Sequence, residues 1–108
     1  MIIIDIFKNQ AGFITGYQAL GHAGDAPCGY SIVCAWVSAV TQMSLIGLEQ
    51  QLKHPVVYTT DDTKGLLSVR LKAAPTARTQ DLLRSMEITL EQLVERLPQE
   101  VTLNKHRG

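Results

Sequence analysis

Apolar positions along the chain change period several times. Residues 2–7, Ile-Ile-Ile-Asp-Ile-Phe, are rich in β-branched side chains and predict a strand. Residues 8–12 supply a turn in which Gly12 is suited to positive φ. Residues 13–20 predict a second strand, with Phe13, Thr15, Tyr17 and Ala19 on one face and Ile14, Gly16, Gln18 and Leu20 on the other. Residues 21–30 contain Gly21, Gly24, Gly29 and Pro27 and predict a loop. From 31 to about 53 the period is helical. Ile32, Trp36, Ala39, Met43 and Ile46 share one face, Cys34, Ser38, Thr41 and Leu45 lie roughly opposite, and Val33, Val37, Val40 and Leu48 fill the space between. So apolar a helix should be buried on more than one side: against a sheet, and under a loop, a second helix or a second subunit.

His54-Pro55 ends that helix, since proline biases its predecessor away from helical angles. Two further strands, 56–60 and 66–72, flank a turn at 61–65, with Leu67, Val69 and Leu71 inward. After a loop over 73–79, a second helix is predicted over 80–97. Its core stripe is Leu82, Met86, Leu90, Leu93 and Leu97, with Leu83 and Val94 beside it, and Arg84, Glu87, Glu91 and Glu95 form its wet face. Pro98 stops it, and 98–108 is expected to be a frayed tail. The order ββαββα predicts an α+β fold: one domain over 1–108, a two-layer sandwich with a mostly antiparallel sheet and both helices on one face.

With 108 residues, 45% of them apolar, a single core can form. Formal net charge is zero, which argues against a phosphate-neutralising surface and hence against direct nucleic-acid binding. The start, MIIIDIFKNQ, lacks the basic region of a signal peptide, and Asp5 interrupts its short apolar run. The segment 31–48 comes nearest to a membrane span but is broken by Ser31, Ser38, Thr41, Gln42 and Ser44. The expectation is a cytosolic chain without a membrane partner or cofactor, whose two cysteines form no structural disulfide.

The candidate chemistry lies where loop becomes helix. Ser31 is a good N-cap, which puts Ile32 at N1, Val33 at N2 and Cys34 at N3. A thiol in the first helical turn lies near unpaired backbone N–H groups and the positive end of the helix dipole, which favour thiolate. His22 is twelve residues upstream, across a loop that can fold back onto the helix. The plainer reading stands beside this one: a cysteine on an apolar helix is commonly a small hydrophobe, and a histidine at a strand end is commonly structural.

The stretch GHAGDAPCGYSIVCAWVSAVTQ resembles the signature of the ribosomal-processing cysteine proteases, the Prp family, at Gly21, His22, Ala23, Gly24, Gly29, Ile32, Val33, Cys34, Ala35 and Ser38. The resemblance implies Cys34 as nucleophile and His22 as general base and acid. It places Ser38 near the site, where a small packing role serves equally well, and lets Gly21 and Gly24 give the loop room around a peptide. Its implied activity is a cysteine endopeptidase that removes a short N-terminal extension from ribosomal protein twenty-seven of the large subunit, cutting after phenylalanine in an apolar motif. It also implies a homodimer. Two departures bear on the site. The family usually has aspartate just before the Ile-Val-Cys run, where this chain has Ser31, which can cap but carries no charge; position 30, often basic, is Tyr30. Cys28 is either an inert loop residue or a partner for Cys34 in a reversible disulfide.

Two rivals remain from the residues themselves. A metal site would draw on His22, Cys28 and Cys34, with His54 or His106 as fourth ligand, but this spacing matches no compact zinc pattern. A non-enzymatic ribosome-assembly or interaction module is the other, weakened by the neutral charge.

Overall fold

Ile2, Ile4 and Ile6 point to one side of the first strand and are almost completely buried, while Ile3 and Phe7 face outward. This period of two makes β1 (Ile2–Lys8) an interior strand of a sheet with one covered face. The computed structural model of the chain describes residues 1–21 and 32–108. Its elements continue with β2 (Ile14–Leu20), α1 (Ile32–Ile46), a π-helical turn (Gly47–Gln51), β3 (Val56–Asp61), β4 (Leu66–Leu71), α2 (Ala77–Arg96) and β5 (Val101–Arg107). The five strands run in the order β3-β4-β2-β1-β5. Every pairing is antiparallel except that of β1 with β5. The expected α+β sandwich is therefore present, with one strand more than the pattern predicted.

That strand corrects the expectation of a frayed tail. Residues 101–107 pair in register along all of β1, from Ile2 opposite Val101 to Lys8 opposite Arg107, and Val101 is buried. Val101 and Leu103 are the only apolar residues of this strand, too few to mark it in the sequence pattern. The strand is held by backbone hydrogen bonds to an edge that β1 would otherwise leave open.

The phase of β2 also differs from simple alternation. Phe7 faces Gly16 but Lys8 faces Ile14, so a bulge places Thr15 outside the regular register. Ile14 thereby joins Tyr17 and Ala19 in the core. Gln80 of α2 clamps the same point: its Oε1 accepts the Ile14 N–H at 2.7 Å and its Nε2 donates to the Ile14 carbonyl at 2.8 Å. The helix that carries Gln80 begins three residues earlier than predicted. The Thr76 side chain accepts the Thr79 N–H at 3.1 Å, and the Thr79 side chain accepts the Thr76 N–H at 2.9 Å, a reciprocal cap formed by two threonines.

Helix α1 buries Val33, Cys34, Val37, Thr41 and Ser44, followed by Leu48. Its opposite stripe is open: Ile32 is 84% exposed, Met43 55% and Ile46 53%. Of the two faces read from the sequence, the one bearing Cys34 meets the sheet. The span Ile32–Gln51 is long and apolar enough to cross a membrane by length and composition, contrary to the sequence reading; packing buries a third of it. At the end of α1 the backbone widens into the π turn, with Leu52 N–H donating to the Gly47 carbonyl at 2.9 Å. A Cβ at Gly47 would stand 2.8 Å from the Leu82 side-chain tip of α2, so the two helices approach closely there and a larger residue would make Leu82 shift.

Glu87, predicted on the wet face of α2, is completely buried. It is bound by Lys8 at 3.1 Å, by Lys105 at 3.6 Å and by a close contact with Arg84. Lys8 and Lys105 come from β1 and β5, so the fifth strand helps to build this cluster. Burial pushes the carboxyl upward, but hydrogen bonds from Lys8 and Arg84 and the charges of Lys8 and Lys105 outweigh it and hold the group below the ordinary carboxylate range. A depressed carboxyl contributes stability above its unfolded pKa and loses it as pH falls through the folded value. Glu87→Gln should cost about 2 kcal/mol near pH 7, because the cations are partly solvated and need less compensation than fully buried ones. Urea unfolding should show the gap from the parent narrowing below about pH 4. A gap independent of pH would mean that shape rather than charge is what Glu87 supplies.

Candidate active site

Cys34 is the third residue of α1 as described, Ile32–Ile46, and the cap expected at Ser31 lies outside the described residues. Ser38 and Gln42 follow at four-residue intervals and bring three polar side chains to one line along the helix. That line borders a cleft of about 560 Å³. Its other walls are Ile2, Ala19 and Gly21 at the adjoining strand ends, and Thr60, Asp62 and Gly65 to Leu67 of the β3–β4 hairpin. Val37, Leu45 and Ile46 make its helix side apolar.

The cleft lies between α1 and the β3–β4 hairpin, and β3 is one edge strand of the sheet. α2 packs toward β5 and β2, and α1 packs beside α2. Thr60 pairs with Leu67 and Asp61 with Leu66, so the hairpin ends beside α1. A buried hydrogen bond secures the opposite wall. The Tyr17 hydroxyl donates to the Thr41 carbonyl at 2.7 Å, and burial raises the pKa of that hydroxyl above its usual range. The Thr41 carbonyl is free for this because a helical carbonyl has two lone pairs. Its own hydroxyl bonds back to the Val37 carbonyl at 2.8 Å.

Gly21 closes β2 with φ of +103°, and a Cβ there would lie 2.5 Å from the Met1 carbonyl oxygen. Both observations require glycine at the position that leads into His22. The Gly21 N–H is shared between the Lys64 and Gly65 carbonyls at 3.2 Å each, which ties this strand end to the β3–β4 turn.

Cys34 is 3% exposed. Its sulfur is held in a disulfide, against the expectation of no structural disulfide and in line with the alternative of a reversible one. Cys28, the only other cysteine in the sequence, lies outside the described residues, as do His22, Gly24, Gly29, Tyr30 and Ser31. Of the site residues read from the sequence, the structure gathers Gly21, Cys34 and Ser38 around one cleft. His54 and His106, named for the rival metal site, are elsewhere: His54 Nε2 lies 3.1 Å from the Ala73 carbonyl, and His106 stacks on Phe7 with its Nε2 2.8 Å from Asp5. The sequence reading missed Gln42 and Asp62 as cleft residues. Gln42 was within reach, two four-residue steps from Cys34. Asp62 was not, because turn residues carry no periodic signal.

Comparison with known proteins agrees with this geometry. Residues 1–102 match the family described as cysteine protease Prp. The ribosomal processing cysteine protease Prp of Staphylococcus aureus is 31% identical over 107 residues, covering 96% of this chain and 98% of that protein. A crystal structure of the S. aureus protease with a covalently linked product peptide superposes with a TM-score of 0.88 at 28% identity, covering 97% of this chain and 99% of that one. Another, in complex with a substrate peptide, gives 0.86 at the same identity and coverage. A cysteine near the start of the described part of α1, a strand end that requires glycine and the cleft between them coincide with similarity over nearly the full length, and the chain belongs to the Prp family of cysteine proteases.

Proposed function

We propose that this protein is a cysteine endopeptidase that removes a short N-terminal extension from ribosomal protein twenty-seven of the large subunit. The observation that carries this reading is the position of Cys34, in the first turn of α1 and at the wall of an apolar cleft. In its reduced form the Cys34 thiolate attacks the scissile carbonyl, and His22 protonates the leaving amine as the C–N bond breaks. A water that gives its proton to His22 then attacks the thioester, releasing the carboxylate and restoring the thiolate. Backbone N–H groups at the start of α1 supply the oxyanion site, since they have no partner within the helix. Gly21 and Gly24 leave the loop free to order around an extended peptide, while Gly29, Ser31 and Ser38 support the site. The apolar lining from Val37 to Ile46 and at Leu66 suits a peptide that presents a large apolar side chain before the cut.

The test is incubation of the reduced protein with the ribosomal protein carrying its extension, read by mass spectrometry with and without a thiol alkylator. A single alkylator-sensitive cut is expected. An uncut precursor would remove the reading in favour of a non-enzymatic assembly module. The same reading places the protein in the cytosol, where its substrate is made. It also takes the exposed Ile32 and Met43 as part of the contact surface of a homodimer. A monomeric mass by sedimentation would exclude the dimer, and cell fractionation checks the location.

A further inference from the structure

The cleft is almost free of charge. Among the described residues that line it, Asp62 is the only one that carries a charge at neutral pH while Cys34 is in its disulfide. Asp62 is exposed, and its carboxylate enters no ion pair among the described residues. Its neighbour Asp61 is different. The Asp61 Oδ1 accepts the backbone N–H groups of Thr63 at 3.0 Å and Lys64 at 3.3 Å and so builds the turn. Asp62 contributes to the turn only through its backbone, its carbonyl accepting the Gly65 N–H at 3.2 Å. The turn is anchored to Gly21 by the shared hydrogen bond from the Gly21 N–H, so the spare carboxylate stands on a fixed support beside the strand end that leads into His22.

We propose that Asp62 is a specificity-determining residue that takes the ammonium or guanidinium group of a lysine or arginine close to the scissile bond of the substrate peptide. The inference rests on the protease reading and extends it: the preferred substrate pairs apolar side chains, for Leu45, Ile46 and Leu66, with one cation for Asp62. An anion in the same place would meet Asp62 with no basic group among the described lining residues to offset it, so the carboxylate also selects against acidic peptides.

The test uses peptides spanning the processed region in which a single lysine is moved along both sides of the cut, each matched by a glutamine control. One position should favour lysine by about fivefold in kcat/KM, carried by KM, as suits an exposed ion pair. Asp62→Asn should bring that lysine peptide down to its glutamine control, and Asp62→Lys should reverse the order in favour of glutamate. The preference should shrink as salt rises from about 0.05 to about 0.5 M. No lysine preference at any position would overturn the proposal, as would an equal loss on lysine and glutamine peptides with Asp62→Asn, which would place Asp62 with the reacting groups instead. Binding of the same peptides to Cys34→Ala, read by fluorescence anisotropy, separates the two readings. A cation preference in binding without cleavage by the parent would keep the role of Asp62 and remove the protease reading.

Discussion

Cys34→Ala is expected to abolish cleavage of the extended precursor while leaving the fold intact. The loss should be at least about 10³-fold, the scale on which removal of a nucleophile acts when the rest of a site survives. The fold should tolerate the change because Cys34 contributes a small buried volume at the start of α1, where the neighbouring core is carried by Val33, Val37 and Leu48. A truncation of this size costs about 1 kcal/mol, less than the whole stability of a domain of this length. Circular dichroism and a urea midpoint, both taken with reductant present, would check the fold, and anisotropy with a labelled precursor peptide would check binding. Cys34→Ser should be nearly as inactive, since a hydroxyl is a much weaker nucleophile at neutral pH without a strong base. Cleavage retained by both variants would show that Cys34 is a packing residue after all and would end the account of thiolate acyl transfer.

Activity should also depend on reductant in an all-or-none way. With Cys34 in a disulfide, no thiolate is available for attack. Two-electron reduction by an external dithiol, itself oxidised to its own disulfide, breaks the S–S bond and returns two thiols. Protein prepared fully oxidised should therefore leave the precursor uncut, and dithiothreitol should restore the full rate. Because Cys28 is the only other cysteine in the chain, Cys28→Ser should cut the precursor without added dithiol. Full turnover by protein shown by mass spectrometry to lack free thiols would contradict Cys34 as the nucleophile. The Cys28→Ser variant separates this effect from general oxidation damage, since loss of activity at other side chains would persist in it.

Much of this protein is legible along the chain because its strands and helices carry their own contrast. The isoleucines of β1 alternate with exposed positions, α2 has a leucine stripe, and a serine–thiol junction with a loop histidine upstream marks one place for chemistry. Where local contrast is weak, the reading fails or stays open. Helix α1 is apolar nearly all round, so two faces competed for the core. The structure chose the Cys34 face, and that choice put the thiol at a cleft instead of in solvent. Glu87 looked like a solvated residue by period, yet Lys8, Arg84 and Lys105 converge on it from three elements, two of them remote in sequence. Charge compensation at that distance leaves no mark in a window of neighbouring residues.

By itself, the order of residues determined the main elements, the break at His54-Pro55 and the placement of Cys34 in a helix's first turn, since each depends on backbone geometry and side chains a few positions apart. Tertiary structure alone decided that 101–107 would be a parallel edge strand, that the β3–β4 hairpin would end beside α1 and border a cleft, and that Asp62 would line the same cleft as Cys34. Those outcomes depend on which surfaces meet. Pairing and packing between distant segments are settled by the burial and hydrogen bonds of the whole chain at once.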